Sequence, residues 1–180
     1  YLTALGINQI EIMPAYEFSE IDYDRDINTK NQPLYATDKT VNADGEAVDN
    51  TPSYRLNYWG YKRGYYFCPK YNYAYTDNPV KEFKDMVKSL HAAGIEIIMQ
   101  FFFEKDSDGI LVDECLRYWY LEYHVDGFRL MGEKLPLNTV LNDGLLADAK
   151  LYINNLDKND DYLNKSVCRN VISVNNSFMC

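Results

Sequence analysis

Gly94-Ile95-Glu96-Ile97-Ile98-Met99-Gln100-Phe101-Phe102-Phe103 is the stretch that decides the fold of this 180-residue chain. Residues 95–103 run on without the strict alternation of a half-exposed strand, which predicts a strand over 95–103 buried on both faces in a parallel sheet. The preceding segment predicts a helix, because Asn78 can cap it, Pro79 suits its first turn, and apolar residues then recur at helical spacing. A strand that follows a helix in this way indicates β-α-β units.

Further elements extend this pattern in both directions. Residues 9–14 predict a short strand that a proline stops. Toward the C-terminus the pattern predicts a helix over 110–123, a strand over 128–131, a short helix within 137–147 and a strand over 150–153. The alternation predicts an α/β fold with right-handed parallel connections. Four strands would leave exposed edges, so we expect the chain to be a piece of a larger barrel.

Two segments carry little periodicity. Residues 19–56 are rich in Asp, Asn, Thr and Tyr and contain the turn signal Asp44-Gly45, which predicts a long loop over a scaffold. We therefore expect one domain over 1–156 with a loop insertion at 19–56, followed at 157–180 by an irregular tail or the start of the next segment. The opening residues contain no initiator Met and no signal core, which suggests a truncated N-terminus.

Composition argues against several classes of partner. Lys and Arg number 18 against 27 Asp and Glu, for a formal net charge of -9. An acidic chain repels phosphate backbones and lacks a polybasic membrane anchor, so we expect neither nucleic acid nor membrane as a partner. The four cysteines form no CxxC pair, which disfavours zinc and is typical of a cytoplasmic protein, although secretion stays open because of the truncated start. Nothing predicts a cofactor or the oligomeric state, and calcium remains open.

Four stretches carry a family resemblance. They are Tyr1-Leu2 through Ile10-Glu11-Ile12-Met13-Pro14, then Asn57-Tyr58-Trp59-Gly60-Tyr61 with Tyr66-Phe67-Cys68-Pro69, then Glu82 through Met99, and finally Leu116 through Val125-Asp126-Gly127-Phe128-Arg129. In this order they resemble the α-amylase superfamily of glycoside hydrolases, closest to its glycogen-debranching, isoamylase and pullulanase branch. The resemblance implies a (β/α)8 TIM-type barrel, of which this chain would span strands two to five, and an α-glucan or maltooligosaccharide as the ligand.

The resemblance also places the family's catalytic positions. Retaining glycosidases use two carboxyl groups about 5 Å apart, one as nucleophile and one as acid/base. The family nucleophile position is Met131 here, and the acid/base position is Asn154. A thioether cannot attack an anomeric carbon, and an amide is no useful proton donor near neutral pH. We therefore expect a non-catalytic homologue that binds glucan.

The resemblance assigns substrate-binding roles to five further positions. Tyr61 occupies the place of a ring that stacks on the sugar nearest the cleavage point, and Arg129 that of the arginine that positions the nucleophile. Gln100 replaces a family Asp, and Lys105 replaces a substrate-binding His. Trp59 is a candidate sugar contact or a packing residue.

Two alternatives remain open. One is an active hydrolase for α-1,6 or α-1,4 glucan whose acids have moved, with Glu104, Glu133 and Asp157 as candidates. The other is a structural or partner-binding barrel. The separation of carboxyl groups at the C-terminal ends of the strands distinguishes the hydrolase from a binding protein.

Overall fold

A computed structural model describes residues 1–23, 40–41, 47–48, 54–154, 156 and 166–174. The strands are β1 (Gln9–Ile12), β2 (Tyr16–Glu17), β3 (Ile21–Tyr23), β4 (Thr40–Val41), β5 (Ala47–Val48), β6 (Tyr54–Leu56), β7 (Tyr65–Pro69), β8 (Glu96–Phe103), β9 (Gly127–Gly132), β10 (Lys150–Asn154) and β11 (Asn170–Val174). The helices are α1 (Pro79–Ala92), α2 (Gly109–Tyr123) and α3 (Leu137–Leu141), with short 3-10 turns at Thr3–Leu5 and Tyr71–Tyr73. The chain divides into a larger unit, Tyr1–Phe18 with Trp59–Cys180, and a smaller unit, Ser19–Tyr58.

A five-stranded sheet forms the centre of the larger unit. Its strands lie in the order β1-β8-β9-β10-β11, and every neighbouring pair is parallel. Helix α1 precedes β8, α2 connects β8 to β9, and α3 connects β9 to β10. This arrangement confirms the predicted α/β class with parallel strands.

Helices α1 and α2 each begin at a side chain that caps the first turn. The side chain of Asn78 accepts a hydrogen bond from the Lys81 amide at 3.0 Å, and Pro79 opens α1. Asp108 does the same for α2, accepting from the Ile110 amide at 3.1 Å. These caps satisfy amide groups that a helix leaves unpaired at its start.

The core lies on the face of the sheet that the helices cover. Alternate side chains of β8, from Ile97 through Phe101 to Phe103, are fully buried. The ring of Trp119 on α2 lies 5.8 Å from that of Phe101 and 5.1 Å from that of Phe83 on α1. Its indole N–H donates to the Tyr66 carbonyl at 2.6 Å, so α2 is fixed to β7 as well as to the sheet.

The other face of β8 departs from the expectation of full burial. Ile98 is buried there, but Glu96, Gln100 and Phe102 are only half-buried. The polar side chains on this face are hydrogen-bonded, which allows them to occupy a partly enclosed surface.

Within the segment predicted as a loop, 19–56, the described residues form two short antiparallel pairs. Strands β3 and β6 pair antiparallel, as do β4 and β5. Each of these strands is only two or three residues long, which is too short to show a readable period in the sequence.

Strand β11 is a fifth strand that the sequence analysis did not predict. It pairs along its whole length with β10, from Asn170 opposite Lys150 to Val174 opposite Asn154. Its exposure pattern is mixed, so hydrophobicity alone does not mark it as a buried strand.

None of the described helices combines the length and the hydropathy needed to cross a membrane.

Candidate functional site

The sheet places two of the predicted site residues, Gln100 and Arg129, on its polar face. Gln100 on β8 lies directly opposite Arg129 on β9. Glu11 lies on β1, the strand that pairs with β8 on its other side. Because side chains alternate along a strand, these three share the face that the helices leave uncovered. The strands are parallel, so their C-terminal ends lie at one edge, where the sites of parallel α/β folds are usually built.

Hydrogen bonds join these three side chains and that of Tyr61 into one cluster, which we call the Glu11 cluster: Glu11, Tyr61, Gln100 and Arg129. The Tyr61 hydroxyl donates to Gln100 Oε1 at 2.7 Å, and Gln100 Nε2 donates to Glu11 Oε1 at 2.6 Å. Arg129 Nη1 donates to the second oxygen, Glu11 Oε2, at 3.2 Å. Three of the five predicted substrate-binding residues therefore meet around one carboxylate.

The charges of the cluster act on the Tyr61 hydroxyl. Partial burial raises the pKa of Tyr61, and the negative charge of Glu11 raises it further, while Arg129 opposes the change. The phenol therefore keeps its proton and donates it within the cluster.

The side chain of Tyr16 holds the loop that carries Tyr61 by hydrogen bonds to its backbone. The buried Tyr16 hydroxyl lies 3.0 Å from the Gly60 carbonyl and 2.9 Å from the Lys62 carbonyl, either of which can accept its proton. Gly60 has φ of 72°, and a Cβ atom there would lie 2.6 Å from the Phe18 ring. Only glycine fits this turn, so the approach to Tyr61 is set by backbone geometry.

The two positions that the resemblance assigns to catalysis carry no acid. Met131 is 5% exposed at the end of β9, opposite Phe102. Asn154 ends β10, and among the described residues none donates a hydrogen bond to its buried Oδ1. A cavity of about 400 Å³ lies beside Asn154 and is also lined by Gly132, Lys134 and Asn138.

Comparison with known proteins identifies the relatives. No family model matches the chain. It is 27% identical over 179 aligned residues to isoamylase 1, chloroplastic, of Arabidopsis thaliana, covering 72% of this chain and 20% of that protein. It is 27% identical over 179 residues to isoamylase 3, chloroplastic, of Oryza sativa subsp. japonica, covering 97% of this chain and 17% of that protein. It is 25% identical over 178 residues to the glycogen operon protein GlgX homolog of Mycobacterium tuberculosis, covering 72% of this chain and 21% of that protein.

The chain is similar to isoamylases and to a glycogen operon protein GlgX homolog, at 25% to 27% identity. This confirms the resemblance drawn from the four sequence stretches. The chain spans about a fifth of the length of these relatives, between 17% and 21%.

The remaining two predicted contacts of this isoamylase-like chain lie apart from the hydrogen bonds of the Glu11 cluster. Lys105 is exposed in the turn that follows β8. Trp59 is 59% exposed, two residues before Tyr61. Neither takes part in the bonds that join the four cluster residues.

The candidate acids of the hydrolase alternative occupy different places. Glu104 is half-buried directly after β8, and its charge, after burial itself, helps to raise the pKa of Tyr66 to about 12. Glu133 is exposed after β9. Asp157 lies outside the described residues.

Glu11 is the functional candidate that sequence reasoning missed. It stands as a single acid between the apolar residues Ile10 and Ile12 of a short strand. An isolated charge inside an apolar strand was the available signal, because such a group needs a partner when it is partly buried.

Proposed function

We propose that this chain forms part of an α-glucan-binding protein that does not cleave its ligand. The observation that carries this proposal is the Glu11 cluster, which presents Tyr61 and Arg129 together on the polar face of the sheet. An aromatic ring stacks on the C–H groups of a sugar, and a guanidinium donates to its hydroxyls. The names of the relatives, isoamylases and a glycogen operon protein, support glucan as the ligand class.

The proposed architecture is part of a (β/α)8 barrel. Residues 1–156 would supply strands two to five with an insertion at 19–56, and the chain after 157 would begin the next segment. The parallel pairing of β11 with β10 supports this reading of the C-terminal part, because barrel strands pair in chain order. Four of the five strands also occur in chain order with helices between them.

The absence of cleavage follows from the two catalytic positions. A methionine thioether at 131 offers no nucleophile that could form a glycosyl intermediate, and an amide at 154 offers no acid. Asn154 instead lines a cavity, and none of the described residues donates to its Oδ1, so its amide offers an acceptor to a sugar hydroxyl. The arrangement therefore favours holding a glucan over cutting it.

A cytoplasmic location is part of the proposal. Among the described residues, Cys68, Cys115 and Cys168 are all unbridged, which is the usual state of thiols in a reducing compartment.

One pair of measurements on the full-length protein tests the function. A reducing-end assay on glycogen, pullulan and amylopectin measures cleavage, and isothermal titration with maltohexaose measures binding. We expect binding heat with no release of reducing ends. Release of reducing ends would favour relocated acids and contradict the proposal. The absence of both signals would favour a structural or partner-binding role.

A further inference from the structure

A single carboxylate holds the Glu11 cluster together. Its two oxygens accept from different partners, Oε1 from Gln100 at 2.6 Å and Oε2 from Arg129 at 3.2 Å. Glu11 lies on β1 and Arg129 on β9, so the carboxylate reaches across the intervening strand β8 and lies beside Gln100. Glu11 is thus the bridge between three adjacent strands.

The counter-charge of Arg129 comes from Glu11 on β1. Arg129 has Gln100 directly opposite it on β8 and Met131 two residues later on its own strand, and neither side chain carries a charge. The side chains of Arg129 and Glu11 are only 22% and 30% exposed, so solvent screens the pair incompletely. A partly buried guanidinium needs a counter-charge, and Glu11 supplies it.

The same carboxylate fixes the orientation of the Gln100 amide. An amide has one donor end and one acceptor end, and Glu11 can only accept, so Nε2 faces Glu11 and Oε1 faces Tyr61. The phenol of Tyr61 then donates its proton to Oε1, which leaves the lone pairs of the hydroxyl available to accept from a ligand. The directions of the Gln100 and Tyr61 hydrogen bonds therefore follow from the carboxylate of Glu11, which can only accept.

We propose that Glu11 is the positioning residue of this site: it balances Arg129 and, through Gln100, sets the orientation of Tyr61. The choice of ligand in this inference rests on the proposed glucan-binding function. The arrangement of charges does not depend on that function. It implies that the acid and the amide at positions 11 and 100 are exchangeable as a pair and not singly.

An isosteric exchange tests the inference. Glu11→Gln removes the counter-charge of Arg129. It also allows the Gln100 amide to turn over, so that Nε2 and Oε1 exchange places. Gln100→Glu places two carboxylates beside each other at one arginine. The double variant E11Q/Q100E restores one acid and one amide, now with the acid directly opposite Arg129. Glu96→Gln is the matched control, because it removes an acid from the same face of β8 outside the cluster, where Glu96 pairs with Lys150.

The first readout is affinity for maltohexaose by isothermal titration of the full-length protein. Each single variant should bind about tenfold more weakly, the effect of losing one charge-assisted hydrogen bond. The double variant should return to within about twofold of the parent, because the two changes are coupled. The Q100E variant should also regain affinity as the pH falls from 7 to 5, since a proton shared by two adjacent carboxylates removes their repulsion. A role in folding alone would not give this pH profile.

The second readout needs no ligand. Tyrosine labelled with ¹³C at Cζ reports the ionisation of each phenol by NMR, and Tyr61→Phe assigns the Tyr61 signal. The Glu11 charge helps to raise the pKa of Tyr61, so its titration should move to lower pH in E11Q and remain in place in E96Q. An unchanged Tyr61 titration in E11Q, or a double variant no better than the weaker single one, would overturn the inference. If the parent protein binds no maltohexaose, the proposed function fails, and the Tyr61 titration alone decides whether Glu11 orders the cluster.

Discussion

The pair formed by Glu17 and Lys70 allows a sharp test of how burial sets the cost of an unpaired charge. Lys70 Nζ lies 2.8 Å from Glu17 Oε1 and 3.0 Å from the Phe18 carbonyl, and it stands 4.7 Å above the centre of the Phe18 ring. The Lys70 side chain is 3% exposed and that of Glu17 is 27% exposed. The two ends of the pair therefore differ strongly in their access to water.

Removing either partner leaves the other charge behind. Glu17→Gln leaves an ammonium that is almost fully enclosed, and we expect a loss of about 3 kcal/mol in the free energy of unfolding, the low end of the range for breaking a buried pair. Lys70→Met leaves a carboxylate that still accepts from the Tyr71 amide at 2.8 Å and is partly hydrated. We expect that variant to lose about 1.5 kcal/mol.

Urea unfolding of the full-length protein, followed by far-UV circular dichroism, measures both losses. The pH adds a second check. Burial alone would raise the pKa of Glu17, but hydrogen bonds from Lys70 and from the Tyr71 amide lower it below its ordinary value of 4.5. A lowered carboxyl pKa contributes stability that is present above the unfolded pKa and is lost as the pH falls through the folded one. The difference between parent and E17Q should therefore stay constant from pH 7 to pH 5 and shrink only below about 4.5.

Two results would refute this reasoning. A larger loss in K70M than in E17Q would show that burial of the remaining charge does not decide the cost. A difference between parent and E17Q that already vanishes near pH 6 would show that the pKa of Glu17 is not lowered.

Three further predictions concern the sheet, the site and a thiol. Gly127→Ala should lower the free energy of unfolding in urea by about 3 kcal/mol or more, because the added Cβ would lie 2.2 Å from a carbonyl oxygen of the neighbouring strand. Gly144→Ala is the control, because its Cβ would meet nothing within 4 Å, and it should change the free energy of unfolding by less than about 0.5 kcal/mol. Tyr61→Phe should weaken maltohexaose binding about threefold by isothermal titration, and Tyr61→Ala by more than about tenfold, because only the second variant removes the ring. Iodoacetamide should modify Cys68 before the two buried thiols in native protein, and its rate should still rise above pH 9, because burial and then the charge of Glu17 raise its pKa above 9.0.

Long, strongly patterned segments were predictable from the sequence. The strand predicted over 95–103 is β8 at Glu96–Phe103, and the helix predicted over 110–123 is α2 at Gly109–Tyr123. Each is long enough for its apolar pattern to show over several repeats, and the caps Asn78 and Asp108 stand where local hydrogen bonding requires them. Capping hydrogen bonds and apolar periodicity between nearby residues determine these elements, so the local sequence predicts them.

The features that the sequence did not reveal depend on distant partners. Strand β11 exists because its backbone pairs with β10, and its own side chains give little indication of this. The contact from Gln100 to Glu11 spans 89 positions, and that from Arg129 to Glu11 spans 118. No local period encodes such pairs, which is why the family positions at Gln100 and Arg129 were found and the carboxylate between them was not.

The two tryptophans lie in opposite environments, so intrinsic fluorescence can distinguish two parts of the protein. Trp119 is fully buried, with Tyr123 stacked on it at 4.4 Å and its indole N–H bonded to a carbonyl, so we expect it to emit at shorter wavelength and to be shielded from dissolved quenchers. Trp59 is 59% exposed and lies two residues before Tyr61, so we expect a dissolved quencher to reach it and a ligand bound over Tyr61 to reduce that access. The sequence contains only these two tryptophans. Quenchable red-edge fluorescence therefore reports on the site, and the unquenched remainder reports on the integrity of the core, within a single unlabelled sample.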